Sequence, residues 1–214
     1  MNFFEYVGAN SDRLIGLTID HIWVVGVSVA IAAFVGVSTG IATYRTNRPR
    51  TIALNVAGTF LTIPSFALFV IFIGPFGLGA KPAIVALAMY GILPILRNTI
   101  TGLRGVDPAV IESAQGMGMP RWQRLLWIEL PLAWPVIVTG IRVSTLILVG
   151  IAAIAAIVNG PGLGDPIFVG LARIGSPAAV NLVLSGVLGV IVVAILFDAL
   201  YSLLIRLTTS RGIR

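Results

Sequence analysis

Residues 112–131 read ESAQGMGMPRWQRLLWIELP and are the least membrane-like part of a very apolar chain. Asp107-Pro108, just before this stretch, predicts a helix N-cap and first turn, because aspartate can accept from free backbone N–H groups and proline has none to lose. Gly116 and Gly118 predict the end of that helix after about ten residues, since glycine readily adopts the left-handed conformation that closes helices. The stretch therefore begins as a short capped helix.

A second helix is predicted to start at Pro120 and to stop at Leu130-Pro131. Glu112 is then an acidic side chain on a short helix, exposed in an otherwise basic loop, where it can meet a basic groove on a partner. A solvated helix hairpin with no partner would have the same spacing. Spacing alone leaves both interpretations open.

Composition places this loop in a membrane protein. Of the 214 residues, 57% are hydrophobic and 10% are charged, whereas soluble domains have about 25% charged residues. The net charge of +6 comes from arginines spread between apolar runs without interleaved aromatic residues, which argues against nucleic acid. There is no cysteine, so disulfides and thiol chemistry are excluded.

A membrane-spanning helix needs about 20 predominantly apolar residues, and five segments qualify. The sequence therefore predicts one all-α polytopic membrane domain over residues 1–214, with a polar loop at 102–133. The predicted spans are Ile19 to Tyr44, Thr51 to Gly74, Pro82 to Thr101, Trp134 to Val158 and Pro177 to Leu207.

The distribution of basic residues predicts the orientation, because cytoplasmic loops are enriched in lysine and arginine. With the N-terminus outside, three basic residues lie outside, namely Arg13, Lys81 and Arg173. Ten lie on the cytoplasmic side, namely Arg45, Arg48, Arg50, Arg97, Arg104, Arg121, Arg124, Arg206, Arg211 and Arg214. The loop at 102–133 is then cytoplasmic.

Several residues inside or beside the spans have predicted structural roles. Pro64 and Pro94 lie within spans and are expected to kink them or to leave backbone carbonyls for a neighbour. Gly36 and Gly40 form a G-x-x-x-G pair that permits close helix packing. His21 is interpreted as a polar anchor at the membrane interface.

The segment from Asn159 to Gly175 is too polar and too broken to span a membrane. Asp165 is expected to cap a short helix that begins at Pro166 and ends at Gly175. This helix is predicted to lie along the outer surface or to dip into the membrane part of the way.

The central loop resembles the EAA signature, E-A-A-x3-G-x9-I-x-L-P, of permease subunits of ATP-binding-cassette importers. The matching positions are Glu112, Ser113, Ala114, Gly118, Ile128, Leu130 and Pro131, with Ser113 in place of the first alanine. The resemblance implies a type I importer permease fold in which this cytoplasmic loop contains the helix that couples the permease to its ATPase.

Two further segments are similar to those of osmoprotectant importers, whose substrates are glycine betaine, choline and carnitine. One contains Tyr90, Pro94, Arg97, Asn98 and Thr99, and the other is the glycine-rich outer segment with Gly162, Gly164 and Asp165. The resemblance implies a multi-pass permease of a bacterial or archaeal plasma membrane. Its expected partners are an ATPase, a second permease copy or paralogue, and an extracytoplasmic binding protein.

The chain itself has neither a G-x-x-x-x-G-K-[ST] phosphate loop nor an H-E-x-x-H zinc motif. It is therefore not expected to be an enzyme or to hold a cofactor, and ATP and Mg would lie on the partner ATPase. The alternatives are a permease for another small solute, such as an amino acid, and a secondary transporter or channel. The latter usually has ionisable residues along its path, and here only Arg142 and Asp198 lie more than five residues from the ends of the predicted spans.

Gly162 to Asp165 also fits the G-x-G-D of intramembrane aspartyl proteases, with Asp198 as the second carboxylate. We reject this interpretation because the two aspartates are predicted at opposite depths. Arg142 and Asp198, in contrast, both lie roughly 11 Å from the cytoplasmic ends of their helices, at 1.5 Å per residue. They are predicted to form an intramembrane ion pair, the alternative being that Arg142 reaches lipid headgroups and Asp198 meets water.

Overall fold

The computed structural model describes residues 2–209, and every regular element in that range is helical. This confirms the predicted all-α fold. Arg211 and Arg214, which the orientation argument uses, lie outside the described residues. The helices are α1 (Phe3–Ala9), α2 (Ser11–Thr43), α3 (Arg48–Thr62), α4 (Ser65–Phe76), α5 (Ala80–Arg104), α6 (Pro108–Gly116), α7 (Arg121–Arg124), α8 (Leu130–Ala152), α9 (Gly164–Ala172) and α10 (Ala179–Thr208).

Four stretches of continuous helix in the described range are long and apolar enough to cross a membrane. They are α2, α5, α10 and the run from Arg121 to Val158 that contains α8. The bent pair α3 and α4 makes a fifth span if the two helices count as one. Five spans agree with the sequence prediction, although α2, α5 and the run from Arg121 begin before their predicted starts and α10 begins two residues after Pro177.

The predicted second span, Thr51 to Gly74, is wrong as a single helix. It breaks between α3 and α4, whose axes differ in direction by 98°. Pro64 explains the break, because proline donates no backbone N–H and forces the preceding residue out of helical conformation, and Ile63 is extended at φ −72° and ψ 130°. The Tyr90 hydroxyl donates a hydrogen bond to the Ile63 carbonyl oxygen that the break exposes.

The second cytoplasmic helix does not stop at Leu130-Pro131 as predicted. It continues through a π turn, Leu125–Glu129, directly into α8. In this turn the Leu130 N–H donates to the Leu125 carbonyl oxygen, five residues back. This wider turn precedes Pro131, which has no N–H to donate, so the chain crosses the proline without ending the helix.

Small residues bring α2, α5 and α8 into close contact. A Cβ atom on Gly36 would lie 3.0 Å from Ile95 Cγ2, and one on Gly40 would lie 2.6 Å from Thr99 Cγ2. On the other side of α5, a Cβ on Gly140 of α8 would lie 2.5 Å from Asn98 Cβ. The predicted G-x-x-x-G pair therefore packs directly on α5, where a Cβ would overlap Thr99 at Gly40 and would make a tight contact at Gly36.

The outer segment differs from its prediction in two respects. The short helix α9 begins at Gly164, with Leu163 as its N-cap, and ends at Ala172. Asp165 therefore lies in the first turn and does not cap the helix. It forms an ion pair with Arg13 at 2.6 Å, which connects the outer segment to the start of α2.

His21 is not an interfacial anchor, because its side chain is fully buried. Its Nε2 lies 3.1 Å from the Val149 carbonyl oxygen, and its Nδ1 accepts from the Leu163 N–H at 3.3 Å. With Nδ1 as acceptor, Nε2 carries the proton and donates to Val149. His21 thus connects α2 to α8 and to the glycine-rich outer segment, and Gly162, at φ +131°, packs against its ring.

The glycine contacts generate a prediction with a matched control on the same helix. Gly40→Ala should lower the melting temperature of the detergent-solubilised protein, because its Cβ would overlap the buried Thr99 side chain at a cost of about 1–3 kcal/mol. Gly26→Ala places its Cβ in open space and should leave the melting temperature unchanged or raise it, since alanine favours helix. Equal melting temperatures for the two variants would contradict the packing described here.

Candidate functional site

The cytoplasmic loop contains α6, a short helix with a defined cap at each end. At its start, Asp107 Oδ1 accepts from the Ala109 N–H at 2.8 Å. At its end, the Met119 N–H donates to the Ala114 carbonyl and the Gly118 N–H to the Gln115 carbonyl, at 3.1 and 2.9 Å. These two bonds form a Schellman motif, in which Gly118 adopts the left-handed conformation at φ +81°.

One side of α6 packs on the protein and the other is free. Ala114 is fully buried, whereas Glu112, Ser113 and Gly118 are exposed. The helix thus presents an acidic side chain and a glycine turn at the protein surface. Ile128 and Leu130 are half-buried and Pro131 is exposed at the start of α8, so the EAA-like residues form two separate groups.

Glu129 is the buried residue that sequence reasoning missed. Its carboxylate is fully buried and accepts hydrogen bonds from the Tyr44 hydroxyl at 2.6 Å, Arg45 Nη2 at 2.6 Å and Arg124 Nε at 2.9 Å. Arg124 is itself 5% exposed, and Arg45 extends to the surface. We call these four residues the Glu129 cluster.

The Glu129 cluster links three elements. Tyr44 and Arg45 follow α2, Arg124 ends α7, and Glu129 ends the π turn before α8. Burial of the Tyr44 hydroxyl, its hydrogen bond to Glu129 and the negative charge of Glu129 together raise the pKa of Tyr44 to about 12. The hydroxyl therefore remains a hydrogen-bond donor throughout the physiological pH range. One sequence signal could have revealed the buried Glu129. It is an acidic residue in the x position of I-x-L-P, between apolar neighbours.

A cavity of about 650 Å³ lies between α6 and the Glu129 cluster. Residues from α6, from the end of α5 and from the cluster line it, including Ile111, Gln115, Arg104, Arg121 and Glu129. Helix α6 therefore rests over a basic, solvent-accessible space. In residues 2–209, no group of three or more histidine, aspartate or glutamate side chains is placed to hold a metal ion.

Arg142 and Asp198 lie together between α8 and α10. Arg142 Nε donates to Asp198 Oδ1 at 2.6 Å and Nη2 to Oδ2 at 2.7 Å, which is a bidentate ion pair. About a third of each side chain remains exposed. The Thr145 and Tyr201 hydroxyls, 2.9 Å apart, form a further polar link between the same helices.

The two segments similar to osmoprotectant importers have mainly packing roles. Asn98 Nδ2 donates to the Pro94 carbonyl at 2.8 Å, and Thr99 is buried against α2. Arg97 is the exception, because its side chain is exposed. In the outer segment, a Cβ on Gly164 would lie 1.9 Å from the Ala153 carbonyl oxygen, so this position also requires glycine.

Comparison with known proteins supports a single family. The family described as binding-protein-dependent transport system inner membrane component matches residues 29–210. The chain is 37% identical to the osmoprotectant import permease protein OsmW of Salmonella typhimurium, with all of both chains covered. It is 36% identical to the glycine betaine/carnitine/choline transport system permease protein OpuCB of Bacillus subtilis, over 98% of this chain and 94% of that protein.

Solved structures share the fold. The MetNI methionine ABC transporter matches with a TM-score of 0.79 at 23% identity, over 92% of this chain and 96% of that one. An amino acid ABC transporter matches with a TM-score of 0.76 at 16% identity, over 96% and 98% of the two chains. The predicted importer permease fold is therefore confirmed.

The Glu129 cluster generates a stability prediction. Glu129→Leu should lower the free energy of unfolding by about 3–5 kcal/mol, because it leaves Arg124 buried without a charged partner. Thermal unfolding in detergent measures the loss. The double variant with Arg124→Leu should recover part of it, and Glu112→Gln, on the exposed face of α6, should have no effect. A wild-type melting temperature for Glu129→Leu would refute the structural role of the cluster.

The ion pair between α8 and α10 generates a second stability prediction. Asp198→Leu or Arg142→Met alone should cost about 1–3 kcal/mol, because each leaves a charge unpaired within a membrane helix. The double variant should be more stable than either single variant. Melting temperatures of all four proteins in the same detergent form a double-mutant cycle. Additive losses would show that the two charges do not interact.

Proposed function

Because the chain belongs to the family of binding-protein-dependent transport system inner membrane components, we propose that it is the permease subunit of an ATP-driven osmoprotectant importer. Its membrane location and its role as a non-enzymatic transport subunit follow from the family and from its apolar helices. We also propose its solute class, its partners and how the cytoplasmic loop acts.

The proposed solutes are quaternary ammonium compounds, namely glycine betaine, carnitine and choline. The observation that carries this proposal is the full-length similarity to permeases named for osmoprotectant, choline and carnitine transport, at 36–38% identity. The methionine and amino acid transporters share the fold at lower identity, 23% and 16%. An amino acid is therefore the competing solute class.

The proposed partners follow from the same family. A cytoplasmic ATPase that binds ATP and Mg would dock on α6 between Glu112 and Gly118. A second copy of this chain, or a paralogue, would complete the permease, and an extracytoplasmic binding protein would deliver the solute. Docking of the ATPase on α6 is supported by its exposed Glu112 and by the defined caps at both of its ends.

The Glu129 cluster gives the docked ATPase a rigid connection to the membrane helices. Movement of α6 is transmitted through α7 to Arg124, which is joined by Glu129 to Tyr44 and Arg45 at the end of α2. Charge-assisted hydrogen bonds in a buried site resist separation. We propose that this link lets closure of the ATPases move α2 and α8 together.

Solute uptake by the reconstituted complex tests the proposed function. The permease, its ATPase and its binding protein would be reconstituted in liposomes, with ATP on the side of the membrane that the ATPase faces. Uptake of labelled betaine, carnitine, choline, methionine and histidine would then be compared. We expect ATP-dependent uptake of at least one quaternary ammonium compound and none of the amino acids. Uptake of the amino acids alone would assign the chain to the competing solute class.

Substitutions at the end of α6 test the coupling role. Gly118→Asp should abolish transport and the stimulation of ATP hydrolysis by loaded binding protein, because a side chain at φ +81° costs on the order of 1 kcal/mol and misdirects the turn. Gly116→Asp adds the same charge at a position with room for a side chain and should retain more transport. Glu112→Lys should also abolish transport by reversing the charge offered to the ATPase.

Protein abundance in the membrane must be measured for each variant, since the proposed defect is in coupling and not in folding. A Gly118→Asp protein that is inserted normally and transports at the wild-type rate would refute the role of this turn. Loss of transport that is explained entirely by degradation would refute it as well.

A further inference from the structure

The exposed surface of α3 has a polar strip beside an apolar strip, in which Ile52 and Val56 are 63% and 52% exposed. Thr51, Asn55, Thr59 and Thr62 are all exposed, and their spacing of four, four and three residues places them on one side of the helix. The opposite side packs on α5, where Ala57 is 3% exposed and belongs to a cluster with Leu93, Leu96 and Ile100. Thus α3 is amphipathic, although it lies within a predicted membrane span.

The neighbouring part of α5 has the same character. Between residues 91 and 104, the exposed side chains are Arg97, Thr101 and Arg104, again on one helical face and all polar. A cavity of about 410 Å³ lies between the two helices, with Arg50 and Leu54 of α3 on one side and Arg97, Thr101 and Arg104 of α5 on the other. The polar face of α5 therefore lies beside the start of α3, where Thr51 and Asn55 follow Arg50 and Leu54 in the sequence.

This polar surface lies in the cytoplasmic half of the membrane domain. The start of α3 is beside Arg104 at the end of α5, and its end, at Ile63, is beside Tyr90. The helix therefore follows α5 from the cytoplasmic loop inward. Arg97 is seven residues before Arg104, or about 10 Å deeper at 1.5 Å per residue.

Such a surface is costly against lipid. Within residues 2–209, neither Arg97 nor Arg104 forms an ion pair, and Arg50 Nη1 is buried without a hydrogen-bond partner. Charged side chains within membrane spans face protein interiors or water-filled cavities. The exposed residues of α10 at similar depth, such as Leu196, Leu200 and Leu203, are apolar, as a lipid-facing surface requires.

We propose that Thr51, Asn55, Thr59, Thr62, Arg97 and Thr101, which we call the inner polar wall, line the water-filled cytoplasmic half of the solute path. This inference rests on the proposed transport function and adds the residues that the solute passes. Thr51 and Thr59 already donate to the carbonyls four residues earlier in their helix. Because these hydroxyls already donate to their own helix, the inner polar wall offers water and solute a polar surface that does not bind the solute tightly.

Arg97 gives this part of the path a preference among quaternary ammonium compounds. Betaine and carnitine have a carboxylate that an unpaired guanidinium attracts, whereas choline has only its positive charge, which the guanidinium repels. Arg97 therefore acts as a specificity-determining residue that favours zwitterionic solutes over choline.

Cysteine accessibility tests the wall directly, because the native chain contains no cysteine. Asn55→Cys and Thr59→Cys would be compared with Val56→Cys, which lies at the same depth on the exposed apolar strip of α3 and is 52% exposed. Each complex, in inverted membrane vesicles, is treated with a small, charged, water-soluble thiol reagent. We expect labelling of Asn55→Cys and Thr59→Cys to be roughly tenfold faster or more, since thiol reagents attack the thiolate, which water stabilises.

Labelling of the wall positions should also block uptake, and excess solute should slow the labelling. Equal labelling rates at Asn55→Cys and Val56→Cys would overturn the proposal, as would full labelling without loss of uptake. Spontaneous disulfide dimers of Asn55→Cys that resist labelling would show that this face contacts a second copy, and would also overturn it. Only variants that transport solute before labelling are compared. If the proposed solute class is wrong, uptake of quaternary ammonium compounds is already absent before labelling, so the two proposals fail separately.

Arg97→Gln tests the specificity role. It should raise the ratio of choline to betaine uptake severalfold, while Arg173→Gln, which removes the same charge from the opposite end of the protein, should leave the ratio unchanged. An unchanged ratio in Arg97→Gln, with transport intact, would overturn the role of Arg97.

Discussion

The buried carboxylate of Glu129 is the interaction on which the arrangement of the cytoplasmic side depends. It is removed from water and has three donors, from the residues after α2 and from the end of α7. A buried carboxylate without such partners would be strongly unfavourable, so the donors must remain in place while the protein is folded. The end of α2, the α7 helix and the start of α8 therefore behave as one unit, and α6 is attached to that unit.

Close packing gives this unit a rigid base in the membrane. Gly36 and Gly40 of α2 and Gly140 of α8 contact α5 at distances that leave no space for a side chain. In a membrane, helices associate through such close contacts, since lipid provides little hydrophobic driving force. These contacts lie along α5, which runs as one helix from Ala80 to Arg104 although it contains Pro94.

Charged side chains within the spans fall into two classes with different consequences. Arg142 and Asp198 neutralise each other across α8 and α10, and so connect two helices. Arg97 has no such partner in the described part of the chain and lies beside the polar face of α3. The first arrangement stabilises the helix bundle, while the second requires water, which is why the two sites have different proposed roles.

The sequence by itself determined the features that depend on local chemistry. The apolar runs predicted five spans, Asp107 and Gly118 predicted the two ends of α6, and the depths of Arg142 and Asp198 predicted their pairing. Each of these follows from residue type and from distance along a helix, which can be read without knowing the neighbours.

Only the tertiary structure decided the remaining features. The partners of His21 lie 128 and 142 residues away in the sequence, and Glu129 meets Tyr44 across 85 residues. Pro64 predicted a kink, but the angle of 98° depends on how α3 and α4 each pack on α5. Pro131 was expected to end a helix, yet a π turn lets the helix continue. In each case, contacts between distant segments outweighed the local preference.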